Sequence, residues 1–177
     1  MDISDLVKLT SRAWATPILA AFHRGVPGRQ AALLHATGAG RTAFAQSLAH
    51  LHTLKLVERN PGHGHPLRPE YRLTPAGIKA AALAARIEGV LPKSQDAALI
   101  RRAWTIPILA VSPKPMTFSS LKSSLQPVTD RALSQNLQKL HQANWLARDV
   151  DVNSAPPRPI YRAANAGLLI SRACVGA

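Results

Sequence analysis

One nine-residue segment of this chain occurs twice in closely similar form, and that repetition constrains the fold more than any other feature. Arg12-Ala13-Trp14-Ala15-Thr16-Pro17-Ile18-Leu19-Ala20 returns 90 positions later as Arg102-Ala103-Trp104-Thr105-Ile106-Pro107-Ile108-Leu109-Ala110, and Tyr71-Arg72 returns at the same offset as Tyr161-Arg162. A period of that length is too long for most solenoid units and suits two copies of a small domain. The expected organisation is one domain over residues 1–91, including a linking helix, and a second over 92–177, truncated at its C-terminus. Such a chain carries its dimer partner within itself.

With 177 residues and 46% hydrophobic content, each half can bury a modest core of about 80 to 90 residues' worth of chain, a size that folds with small margins and gains from packing on a neighbour. Net charge is +13, from 22 basic against 9 acidic residues, and fifteen of the basic ones are Arg. Clustered Arg and Lys favour a polyanionic partner through phosphate contacts and counterion release, and double-stranded DNA is the first candidate. The plainer alternative is a basic surface that only aids solubility. A single cysteine, Cys174, permits no internal disulfide. There is neither a signal-peptide start nor an apolar run of about 18 residues, so a cytoplasmic protein with no membrane partner is expected.

Both copies parse into the same elements. In the first, Ser4 is placed to cap a helix through about Ala13, and Pro17 fits the first turn of a helix through Phe22. A second helix is expected over Ala31–His35, a turn at Thr37–Gly40, and a third helix over Arg41–Thr53, where Phe44, Leu48 and Leu51 form an apolar stripe. Leu56–Arg59 and Arg68–Leu73 read as strands of a hairpin, and Thr74 caps a helix that has Pro75 first and ends near Gly89. The second copy offers helices over Ser94–Arg102, from Pro107, over Phe118–Leu125, and after Thr129 with Leu133, Leu137 and Leu140 as its stripe. Its wing strands would be Trp145–Arg148 and Pro159–Arg162, and only ten residues follow Gly167, which leaves the closing helix nearly absent. The fold class is mainly α with small β wings (α+β), as two tandem winged helix-turn-helix domains.

These residues resemble the HxlR-type winged-helix transcription regulators, relatives of the MarR group. The resemblance rests on Trp14-Ala15-Thr16-Pro17-Ile18-Leu19, on Leu54-Lys55-Leu56-Val57-Glu58-Arg59 and on Arg68-Pro69-Glu70-Tyr71-Arg72-Leu73-Thr74-Pro75-Ala76-Gly77, across about residues 12 to 80. The second copy fits more loosely, with a good Trp104-Thr105-Ile106-Pro107 but a close, Tyr161-Arg162-Ala163-Ala164-Asn165-Ala166-Gly167, that has no counterpart of Leu73 or of the Thr74 cap. The resemblance implies a DNA-binding repressor or activator that works as a homodimer of one-domain chains. Here both domains lie in one chain, so an intrachain pseudo-dimer is expected, monomeric as a polypeptide.

In that arrangement the third helix of each copy reads DNA. Arg41, Thr42 and Gln46 in the first, and Arg131, Ser134, Gln135 and Gln138 in the second, are the candidate contacts. Gln suits adenine, Arg suits guanine, and Ala45 or Ala49 can meet a thymine methyl. The two sets differ, which predicts an asymmetric operator; a solvated helix face is the plainer reading. On the wings, Arg68 and Arg158 each have a Pro beside them that holds an extended tip. Arg72 and Arg162 either reach phosphate or neutralise Glu58 and Asp149 across the hairpin.

Trp14, Trp104 and Trp145 are candidate walls of a pocket for a small apolar effector. Repetition of the first two favours core packing, whereas Trp145 has Leu56 as its counterpart. A metal site is not expected: His63 and His65 sit in a hairpin tip without an acidic or Cys neighbour, and His50 and His52 add none. No cofactor is expected, and Cys174 reads as an inert thiol. The leading function is a sequence-specific regulator. The alternative is a small-molecule-binding or sequestering protein on a degenerate winged-helix scaffold, which Asp130 at the start of the second reading helix mildly favours. Enzymatic activity is not expected, since carboxylates are scattered and only Asp149 and Asp151 are closely spaced.

Overall fold

The computed structural model describes residues 1–60, 70–93, 95–152 and 156–175. They are mainly helical with two small antiparallel sheets, consistent with an α+β winged helix-turn-helix architecture. Two compact units result, Arg12–Gly89 and Met1–Ser11 with Val90–Ala177.

In the unit Arg12–Gly89, α2 (Ala15–His23) holds Pro17 in its first turn, where a missing N–H leaves no intrahelical bond unmade. Helix α3 (Gln30–Thr37) stops at Gly38, whose left-handed backbone (φ 64°) lets its N–H reach the carbonyls of Leu34 and His35. After the turn, α4 (Arg41–Thr53) buries Phe44, Leu48 and Leu51 as the apolar stripe requires. Strands β1 (Val57–Asn60) and β2 (Glu70–Leu73) pair from Val57↔Leu73 to Asn60↔Glu70. Thr74 Oγ1 accepts the Gly77 N–H at 3.0 Å and caps α5 (Pro75–Gly89). Helix α5 packs on α2 through small residues, with Ala15, Ala20, Ala21, Ala80, Ala81 and Ala84 all buried. Gly77 makes the approach of α5 to the wing possible, because a Cβ there would overlap the Leu56 carbonyl.

In the other unit, α1 (Ile3–Thr10) is followed after Val90 by a 3-10 helix (Gln95–Arg101) and α6 (Thr105–Val111). Next come β3 (Met116–Thr117), α7 (Phe118–Ser124), α8 (Asp130–Gln142), β4 (Leu146–Asp151), β5 (Arg158–Ala163) and α9 (Ala166–Val175). The sheet order is β3-β5-β4. Leu121, Leu125, Leu133, Leu137, Leu140 and Ile170 are buried at its centre. In the unit Arg12–Gly89 the position of β3 is taken by a single bridge, Arg29↔Glu70.

Several expectations differ from this arrangement. The first eleven residues pack with the later part of the chain, not with residues 12–91: α1 lies on α6, and the Thr10 hydroxyl is 2.8 Å from the Ala103 carbonyl and 2.9 Å from that of Leu6. That helix is shorter than the Ser4–Ala13 reading and is capped by Asp2, whose carboxylate accepts the Asp5 N–H at 2.8 Å. The segment before Arg102 is a 3-10 helix, and Ser94 lies outside the described residues. The closing helix is ten residues long, not nearly absent, since Gly167 lets α9 close onto the Trp145 carbonyl and Ile170 buries completely.

Candidate nucleic-acid interface

Burial of one apolar stripe decides which face of α4 and which face of α8 are left open. On α4 the residues Phe44, Ser47, Leu48 and Leu51 are buried, and Arg41, Thr42, Ala45, Gln46 and Ala49 are exposed. On α8 the buried set is Leu133, Asn136, Leu137 and Leu140, and Arg131, Ser134, Gln135 and Gln138 are exposed. Every candidate contact residue on the two helices therefore lies on an accessible face. Thr129 caps α8 by accepting the Ala132 N–H at 3.2 Å, and Gly40 precedes α4 without a side-chain cap. Asp130 is balanced twice, by the positive end of the α8 dipole and by Lys122 Nζ at 2.6 Å. Its carboxylate thus does not present an uncompensated charge to a polyanion.

The wings are unlike each other. In the first, Arg72 Nε donates to Glu58 Oε1 at 2.6 Å across a directly paired position, so this guanidinium is engaged. In the second, Ala147 stands opposite Arg162, Asp149 stands opposite Ile160, and no carboxylate is ion-paired with Arg162 among the described residues. Arg158 is exposed at the start of β5, opposite Asp151. Arg68 lies outside the described residues, as do His63 and His65. Arg29 Nε donates to Glu70 Oε1 at 2.6 Å, and the Tyr71 N–H donates to the Gly28 carbonyl at 2.8 Å, which joins the entry to α3 to the wing.

Two residues that anchor α4 and α8 escape the sequence reading. Ser47, 2% exposed, accepts the Trp14 N–H through Oγ at 3.3 Å. Asn136, 5% exposed, accepts from Arg102 Nε at 3.0 Å and donates to the Ala132 carbonyl at 2.7 Å. Ser47 ties the inner face of α4 to the segment before α2, and Asn136 ties that of α8 to the segment before α6. Their signal is a polar residue in phase with an apolar stripe, Ser47 among Phe44, Leu48 and Leu51, and Asn136 among Leu133, Leu137 and Leu140.

Trp14 and Trp104 are half-buried and stand just before α2 and α6. Trp145 is 2% exposed, with its backbone N–H donating to the Leu140 carbonyl and its own carbonyl accepting the Ala164 N–H, both at 2.9 Å. A cleft of about 310 Å³ opens between α7, α8 and the β4–β5 wing. It is lined by Phe118, Ser134, Leu137, Gln138, His141, Arg148 and Tyr161, and by no tryptophan. Among the described residues no three His, Cys, Asp or Glu side chains group as metal ligands. No helix among them is long and apolar enough to cross a membrane.

No curated protein matches the chain. Residues 99–174, a stretch of somewhat under half the chain that runs from the 3-10 helix into α9, match the HxlR-like helix-turn-helix family.

Proposed function

We propose that this protein is a sequence-specific DNA-binding transcription regulator, a repressor, acting as a pseudo-dimer within one chain whose α4 and α8 read unequal halves of an operator. The observation that carries this reading is the exposed face of α8, with Arg131, Ser134, Gln135 and Gln138, inside the stretch that matches a helix-turn-helix family. The charge of +13 supports a polyanionic partner. The α4 face offers Thr42, Ala45, Gln46 and Ala49 instead, so the two helices present different donors and acceptors to base edges.

Binding-site selection from random duplexes, followed by fluorescence anisotropy across a salt series, tests it. The expected result is an imperfect, non-palindromic site, bound on the order of 10³-fold or more tightly than a scrambled duplex. A perfect palindrome would overturn the unequal-halves reading, and equal weak binding to all duplexes would overturn sequence-specific regulation.

A further inference from the structure

The cleft of the second unit contains three polar side chains that recur at corresponding places in the first. His141 stands in the last turn of α8, and Arg148 on β4 is directly paired with Tyr161 on β5. In the unit Arg12–Gly89, His52 stands in the last turn of α4, and Arg59 on β1 is directly paired with Tyr71 on β2. Packing does not account for the recurrence, since both histidines and both arginines are exposed and the tyrosines are half-buried. Around them the units differ: Ala45 and Ala49 correspond to Ser134 and Gln138.

The electrostatics are one-sided. Arg24, Arg29 and Arg72 each have a carboxylate partner, whereas neither Arg59 nor Arg148 is ion-paired among the described residues. Strand alternation puts Glu58 on the opposite face from Arg59, and Asp149 and Asp151 on the opposite face from Arg148. His141 Nδ1 lies 3.1 Å from the Leu146 carbonyl, which can only accept, so Nδ1 carries the proton and Nε2 is left for another partner.

We propose that the seam between reading helix and wing is a seat for a backbone phosphodiester of duplex DNA, one in each unit, formed by His52, Arg59 and Tyr71 and by His141, Arg148 and Tyr161. The proposal rests on the DNA-binding reading above. A phosphate held there lies beside Ser134 and Gln138 in the second unit, so the seat sets the register in which those side chains meet base edges.

The test uses the full chain, the selected duplex and a scrambled duplex, with anisotropy read across a salt series for wild type, Arg59→Ala, Arg148→Ala, Arg148→Lys and the control Arg172→Ala on α9. The exchanged arginines are exposed, and circular dichroism confirms that each variant is folded. Each alanine at the seam is expected to make the slope of log affinity against log salt shallower by about 0.9 and to weaken both duplexes by a similar factor, on the order of tenfold. Arg148→Lys should keep the wild-type slope, and Arg172→Ala should behave as wild type. Unchanged slopes for both seam alanines, with wild type binding normally, overturn the seat alone. A loss confined to the selected duplex overturns it in favour of base readout. Absence of salt-dependent binding by wild type overturns the DNA reading and the seat together.

Discussion

At the scale of single residues, the second unit carries two polar groups that the first does without. Among the described residues the hydroxyls of Thr105 and Ser171 are buried with no hydrogen-bond partner, whereas Ala15 and Ala81 occupy the corresponding positions of Arg12–Gly89. Ser112 shows the satisfied alternative, with its hydroxyl on the Ile108 carbonyl at 2.7 Å. A buried hydroxyl without a partner keeps its desolvation penalty, about 1–3 kcal/mol. Ser171→Ala should therefore raise the urea midpoint, by an equivalent of about 1 kcal/mol, and a lowered midpoint would show that the hydroxyl is bonded in solution. The ties at Ser47 and Asn136 are the opposite case, polar groups buried with partners. They belong to the placement of α4 and α8 although they cannot touch a ligand themselves.

At the scale of elements, both units repeat one close approach, where the last helix meets the residue before its wing. A Cβ on Gly77 would overlap the Leu56 carbonyl, and one on Gly167 would overlap the Trp145 carbonyl and crowd Leu109. Backbone cannot yield as a flexible side chain does, so Gly77→Ala and Gly167→Ala should each cost about 1–3 kcal/mol or more in denaturant titrations. Values near zero would mean that α5 and α9 shift without loss. Helices with strong apolar stripes were legible in the sequence to the residue, α4 at Arg41–Thr53 above all, because burial and periodicity agree there. The ten-residue α9 was not legible, since its start depends on a glycine fitting against a carbonyl that only the folded chain brings near. The same holds for the seam, where His141, Arg148 and Tyr161 come from three elements and Arg72, singled out from the sequence, is engaged with Glu58 instead.

At the scale of the molecule, Arg12–Gly89 is an insertion in the chain path of the other unit, which begins with Met1–Ser11 and resumes at Val90. Leu6 and Leu9, 4% and 2% exposed, belong to a core whose other members lie beyond residue 99. Leu9→Ala should then cost about 2–5 kcal/mol, and hydrogen exchange should speed up in α6 rather than in α2 or α5. Faster exchange confined to residues 12–89 would show that α1 serves the other unit.

The same chain path sets an order of events on the ribosome. Arg12–Gly89 is fully synthesised before any of α6 exists, so that unit can complete its fold while α1 still lacks its partner. At about 5–20 residues per second, the interval between α1 and α6 is on the order of 5–20 s. Throughout it, Leu6 and Leu9 lack the surface on which they are buried in the folded chain, and the second unit matures only when its earliest-made piece docks on a much later one.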